Sequence, residues 1–188
     1  TIMSGPAASV AGARYLTGRQ HATVVDIGGT TTDTGSVRDG AVRISESGTR
    51  IGGWDTHVRA LRMRTVGLGG DSLIACVEQQ LRIGPRRVAP VAWLASTRDG
   101  VAEALDYVEG HLDDFAASTQ GAELLSATGR DDGFEASDVE QRILDTLAER
   151  PHSLAELAAR VGQTHWALLR TSRLEAHNLV QRSGLTPT

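Results

Sequence analysis

The chain has 188 residues, 40% of them hydrophobic, and a formal net charge of −4, enough to bury one core, or one core with a small satellite. An acidic balance supplies no overall basic field for nucleic acid or an anionic membrane surface, so neither is expected as a partner of the whole chain. A single cysteine, Cys76, excludes an internal disulfide framework and suits a reducing cytoplasm; no apolar run approaches the roughly 18 residues that cross a bilayer, and no basic stretch with an apolar signal core opens the chain.

Thirteen of the 21 glycines fall within the first 70 residues, so tight turns and close backbone approach are expected there. Residues 7–17, AASVAGARYLT, follow Ser4, Gly5 and Pro6 and stop before Gly18, which predicts a helix. ATVVDI (22–27) has the composition of a buried strand. TDTGSVRDG and AVRIS predict a second and third strand joined at Asp39-Gly40, making an antiparallel meander. A further strand is expected over 56–66, THVRALRMRTV, ending at the glycine cluster GLGGDS (67–72). LIACVEQQLRIG fits neither the helical nor the strand period and stays open between helix and hairpin.

Beyond Pro90 glycine thins and the apolar spacing turns helical. Residues 99–118 place Val101, Leu105, Val108, Leu112 and Phe115 on one stripe and predict an amphipathic helix. A polar linker is expected over 128–137. Three helices should follow, over 138–149, over 153–161 with a capping box of Ser153 and Glu156, and over about 164–177; NLVQRSGLTPT then runs toward a strand.

VVDIGGTTTD (24–33) carries the chemistry. Gly28 and Gly29 after a strand let main-chain N–H groups point outward with no side chain to block an anion. Thr30, Thr31 and Thr32 add hydroxyls. Asp26 and Asp33 add carboxylates suited to Mg²⁺ through water, or to orienting an attacking water. Because phosphoryl transfer depends mainly on positioning and charge neutralisation, this set suffices for one side of a phosphate site. The alternative is a glycine-rich hairpin turn with a solvated aspartate. Neither GxxxxGK[ST] nor GxGxxG occurs here.

DIGGTTTD preceded by SGPAASVAGARYL resembles the second phosphate motif, and the helix before it, of the actin, sugar-kinase and chaperone ATPase superfamily. More narrowly, the ordered series SGPA, D-x-GGT-x-x-D, TVGLGGDS, LRIGP and a terminal GLTPT resembles the hydantoinase A/5-oxoprolinase family, over residues 1 to about 90 and the last few. The resemblance implies ATP-dependent opening of a cyclic amide of hydantoin or 5-oxoproline type, with phosphorylation of the amide oxygen exposing the ring carbon to water. It places Asp26, Gly28, Gly29, Thr30 and Asp33 at the phosphate and Mg²⁺, and Gly67, Gly69 and Gly70 at a second glycine turn near nucleotide or substrate. Where family members often carry Gly-Gly-Gly-Ser, this chain has Gly69-Gly70-Asp71-Ser72, adding a negative charge. The superfamily encloses ATP between two related halves, and the first half's phosphate hairpin has no counterpart here. A start at Thr1 fits an excised segment, so an N-terminal half or partner subunit, oligomerisation and weak activity of this segment alone are expected. The fold so implied is α/β: an actin-like ATPase (ribonuclease H-like) half-domain over 1–98, a helical connection over 99–137, and a winged-helix-like segment over 138–188.

The remaining candidates read as structural. His57 beside Trp54 and Asp55 is a packing or surface residue before it is an acid/base group. His111, His152, His165 and His177 share no metal-ligand spacing and are expected at the surface. Cys76 reads as a small buried hydrophobe, and Arg86 and Arg87 as a solvated pair. The rhythm after residue 138 has a rival reading as a DNA-binding or protein-interaction module, with Arg170 and Arg173 on a recognition helix. Against DNA, Glu140, Glu149, Glu156 and Glu175 dilute any basic face.

Overall fold

The computed structural model describes residues 4–42, 44–45, 49–51, 54–56, 60–130 and 133–188 and divides into two compact units, Thr1–Gly70 and Asp71–Thr188. In the first, α1 (Ser4–Thr17) leads into β1 (Ala22–Ile27), β2 (Thr32–Arg38) and β3 (Ala41–Val42), the antiparallel meander expected from the sequence. Asp39 and Gly40, with φ of 52° and 69°, form the tight primed turn that Asp-Gly favours between strands. The expected third strand is shorter than its sequence run: β4 (Ile44–Ser45) follows and pairs with β7 (Ala60–Leu61), while β5 (Thr49–Ile51) pairs with β6 (Trp54–Thr56). The strand expected over 56–66 is realised as β7 and then β8 (Met63–Val66); His57 lies outside the described residues.

β8 returns to β2, so the edge of β2 opposite β1 is shared. Its end at Thr32–Gly35 takes β8, and its end at Val37–Arg38 takes β3. Asp26 lies directly across from Asp33, Val24 from Gly35 and Ala22 from Val37, which puts these residues on one face. α1 covers that face, with buried Val10 over Gly35 and Val37 fully buried beside it.

The second unit opens with a hairpin of β9 (Ser72–Val77) and β10 (Gln80–Arg87), turning at Glu78 and Gln79 with φ of 52° and 61°. The stretch left open between helix and hairpin is therefore a hairpin. Its turn uses two residues with left-handed backbone but no glycine, so the usual Asn-Gly signal is missing. Then come β11 (Ala89–Pro90), α2 (Val91–Thr97), α3 (Val101–Glu109), two 3₁₀ turns (Leu112–Phe115 and Thr119–Ala122), β12 (Leu124–Ala127), α4 (Asp138–Glu149), β13 (His152–Ser153), α5 (Leu154–Arg160), a 3₁₀ turn (Trp166–Leu168), α6 (Ser172–Ala176) and β14 (Val180–Gly184). Four strands form a mixed sheet ordered β11-β14-β12-β13, parallel only between β11 and β14. Leu125, Ile143, Leu147, Leu154, Leu157, Leu174 and Val180 close its main core. No helix among the described residues is long and apolar enough to cross a membrane.

Three expectations for this unit are corrected. The helix expected over 99–118 ends at Glu109, before Gly110, and Val101 and Ala104 are its buried positions while Leu105 and Leu112 are exposed. The helix expected over 164–177 is a 3₁₀ turn and the five-residue α6, because the His165 ring accepts the Ala167 N–H at 3.1 Å and caps a separate turn. The capping box sits at Ser137 and Glu140, where both reciprocal bonds form. Ser153 does accept the Glu156 N–H at 3.1 Å, but the Glu156 carboxylate turns away to Arg150 and Arg160.

Candidate functional site

In the first unit the β1–β2 hairpin turns through Gly28–Thr31, and Gly28, Gly29 and Thr30 are exposed. The Gly28 N–H donates to the Thr31 carbonyl at 2.9 Å, so this amide is engaged inside the turn rather than pointing outward as the sequence suggested. The second glycine turn packs on the first. Gly70 N–H donates to the Gly28 carbonyl at 2.9 Å, and the Thr32 hydroxyl donates to the Leu68 carbonyl at 2.7 Å. A Cβ on Gly69 would come within 2.5 Å of Gly28 O and Gly29 C, so only glycine permits this approach. Two segments nearly forty residues apart thus form one double loop.

The paired aspartates sit at the foot of this loop. Ser9 of α1 donates to Asp26 Oδ2 at 2.5 Å. Thr65 of β8 donates to Asp33 Oδ1 at 2.5 Å, and the Thr31 hydroxyl to Asp33 Oδ2 at 3.3 Å. Asp33 is 8% exposed and Asp26 half-buried. Sequence reading missed Ser9 and Thr65 because each is brought in only by the fold: a helix residue seventeen positions from Asp26 and a strand residue thirty-two from Asp33.

Every partner of these two aspartates is a neutral hydroxyl, and no described cation pairs with either. A nearly buried carboxylate without a counter-charge is costly, and the hydroxyls alone offset that cost incompletely. No group of three or more His, Cys, Asp or Glu able to hold a metal occurs among the described residues. Two carboxylates nevertheless match Mg²⁺, which keeps most of its waters and takes further oxygens from phosphate.

The acidic residues of the second unit are held differently. Glu156, 4% exposed, takes Arg150 and Arg160 on its carboxylate, with the His152 ring nitrogen 3.0 Å away. Burial pushes its pKa up, but the hydrogen bonds from Arg150, His152 and Arg160 outweigh this and hold it below the usual carboxylate range. Glu123 is shared between Arg86 and Arg182, yet burial dominates and raises its pKa. Glu175 takes Arg182 and Thr171, and these bonds overcome burial to lower its pKa. Glu140 is lowered chiefly by the Ser137 backbone and hydroxyl, with Arg173 adding to it.

These pairs revise several sequence expectations. Arg86 is exposed, as expected, but it is also an ion-pair partner of buried Glu123. His152 is fully buried, not at the surface, because β13 enters the sheet beside β12, and burial lowers its pKa. His111, His165 and His177 are exposed, as expected, and Cys76 is half-buried in β9. No continuous recognition helix carries Arg170 and Arg173: Arg170 lies before α6, and Arg173 is tied to Glu140 and lies over the Phe134 ring at 4.7 Å.

Residues 1–104 match the hydantoinase/oxoprolinase family. That is more than half of the sequence, and the chain belongs to this family. Among solved structures it is similar to a nucleotide-free acetone carboxylase, from a study of ATP-dependent acetone carboxylation, at 28% identity and a TM-score of 0.45 over 52% of this chain. The chain spans 15% of the length of that protein. No curated protein matches significantly.

Proposed function

We propose that the chain supplies one wall of the ATP and Mg²⁺ site of an ATP-dependent enzyme that opens a cyclic amide of hydantoin or 5-oxoproline type. What carries the reading is the pair Asp26 and Asp33, set across from one another, oriented by hydroxyls and lacking a cation among the described residues. Family membership over residues 1–104 supports it. Asp26 and Asp33 would hold Mg²⁺ through its waters, and Mg²⁺, when bound, screens phosphate charge. Gly29, Thr30 and Thr31 face the phosphates, while Gly69 and Gly70 hold the first turn in place. Ser9 and Thr65 fix the carboxylate rotamers, so the acids meet the metal without reorganising.

In this reading the first unit is half of an actin-like ATPase fold, and an N-terminal half or partner subunit closes the cleft in the cytoplasm. The amide oxygen then takes the γ-phosphoryl group of ATP with release of ADP, one water adds at the ring carbon and the ring C–N bond breaks with a proton passing to nitrogen, and a second water hydrolyses the resulting acyl phosphate to carboxylate and phosphate. The second unit carries a winged-helix-like segment outside this chemistry. A second reading, nucleotide binding without turnover, is favoured by one observation: the Gly28 amide is already bonded within the turn, leaving fewer donors for a transferring phosphate.

The test compares ATPase activity of the parent, Asp26→Ala and Asp33→Ala in the longest natural chain containing this segment, with and without hydantoin or 5-oxoproline. Amide-stimulated activity in the parent and a loss of at least a hundredfold in both variants is expected. Equal rates in all three would exclude the proposed site; unstimulated ATP binding without hydrolysis would select the second reading.

A further inference from the structure

A cavity of about 350 Å³ lies wholly within the second unit, so nothing in it depends on the nucleotide site. Its size is at the lower end of the range that takes a small ligand. Three segments enclose it. The end of α3 and the 3₁₀ turn after it bring Tyr107, Asp114 and Phe115, one side of α5 brings three alanines, and the 3₁₀ turn at Trp166–Leu168 with the residue before it brings His165 and Trp166. The sequence has three Trp, two Tyr and two Phe, so one of each, with a histidine, around one small space is a concentration of rings in a chain that is poor in them.

These rings are held by packing. Gly121 sits between two of them, and a Cβ there would come within 2.8 Å of both the Phe115 and the Trp166 ring. His165 leans on Trp166 with centroids 4.8 Å apart, and its Nδ1 accepts the Ala167 N–H at 3.1 Å. Tyr107 stacks on His111 at 4.1 Å. Ala155, Ala158 and Ala159, neighbours on one face of α5, form the floor, where longer side chains would fill the space.

Asp114 is the one carboxylate among the described residues of the wall, and no guanidinium borders it. No described cation pairs with Asp114, whereas Glu156 is already met by Arg150 and Arg160. Burial first, then the charges of Glu156 and Asp114, raise the Tyr107 pKa; the two acids put a negative potential at its hydroxyl. An anion would be repelled by Asp114. A hard metal ion gains nothing from the rings and finds a single carboxylate. An alkylated cation gains from the rings and from Asp114, with its methylenes against the alanines.

We propose that this cavity binds a small organic cation, an alkylammonium group carried by a free amine or by a lysine side chain. The ammonium meets Asp114 and the aromatic wall, and the alkyl stem lies on the alanine floor.

The experiment is an NMR titration of the 188-residue chain with butylammonium, its neutral isostere butanol, and butyrate, following the indole N–H of Trp166. A saturable shift with butylammonium, binding of butanol weaker by about tenfold or more, and no shift with butyrate are expected. Asp114→Asn should weaken butylammonium about fivefold or more and leave butanol unchanged. Ala159→Leu, which fills the floor from an exposed helical position, should abolish binding while the melting temperature is kept. Nα-acetyllysine amide is titrated in parallel: tighter binding than butylammonium assigns the cation to a peptide side chain, weaker binding assigns it to a free amine, and both sustain the site. No saturable shift with butylammonium, equal binding of butanol, or binding unchanged in either folded variant overturns the proposal.

Discussion

Asp33 in the first unit and Glu156 in the second are both carboxylates almost out of solvent, 8% and 4% exposed, yet their surroundings have opposite logic. Glu156 brings its own counter-charges, two arginines from flanking positions, and its charge is complete within the fold. Asp33 is met only by threonine hydroxyls, which orient a carboxylate without neutralising it. A buried acid with built-in cations is cement; one held by hydroxyls alone keeps its capacity for an external cation. The difference comes from partners rather than from residue type, and on the proposed reading it separates an acid that serves stability from one that serves binding.

The sharpest way to break this comparison is to remove each charge in turn. Glu156→Gln leaves the partly solvated Arg150 and Arg160 without their carboxylate and should cost about 2–3 kcal/mol in urea denaturation, whereas Asp33→Asn, losing part of a neutral hydrogen-bond set, should cost about 1 kcal/mol. Equal losses would erase the distinction. Gly69→Ala comes next: its methyl meets the Gly28–Gly29 backbone, for an expected loss of about 1–3 kcal/mol together with weakened MgATP binding by calorimetry. Unchanged binding would detach the second glycine turn from the site.

Protonation sharpens the same contrast. The pKa of His152 is lowered by burial, so the folded state holds it neutral. Its stabilising effect is complete above the unfolded value of about 6.5 and is lost as pH falls toward the lower folded value. The slope contributed by this one group is at most about 1.4 kcal/mol per pH unit. His152→Gln should flatten the loss of stability measured between pH 7 and pH 5; an unaltered slope would assign it elsewhere. The smallest effect is expected from Ser137→Ala, which removes the α4 cap and should cost about 1 kcal/mol by thermal denaturation.

Sequence reading located the helix–hairpin–hairpin order of the first unit because its signals are local: the Gly18 stop, the Asp39-Gly40 turn and the β-branched run of β1. It singled out Asp26 and Asp33 as carboxylates flanking a glycine turn, and the hairpin register sets the two across from one another. It did not find Ser9 or Thr65, whose role exists only once α1 and β8 are packed against the hairpin. In the second unit it named α4 and its bounds, but misplaced the capping box because two Ser-x-x-Glu patterns, at 137–140 and 153–156, look identical in one dimension. Arg150 and Arg160 decide between them, by claiming the second glutamate. β12 escaped notice because three buried residues and a partly buried alanine carry no period, and the 99–118 stripe was overextended because Leu105 and Leu112 keep helical spacing without facing the core.

The shared edge of β2 has an architectural consequence. The chain leaves that edge after β3, which ends at Val42, and rejoins it at Met63, so the span between is an excursion whose two anchors are set by ladder pairing. Insertions or deletions within it would leave Thr65 in register with Asp33. Change of length in that segment is thus uncoupled from the pairing that brings the Thr65 hydroxyl to the Asp33 carboxylate.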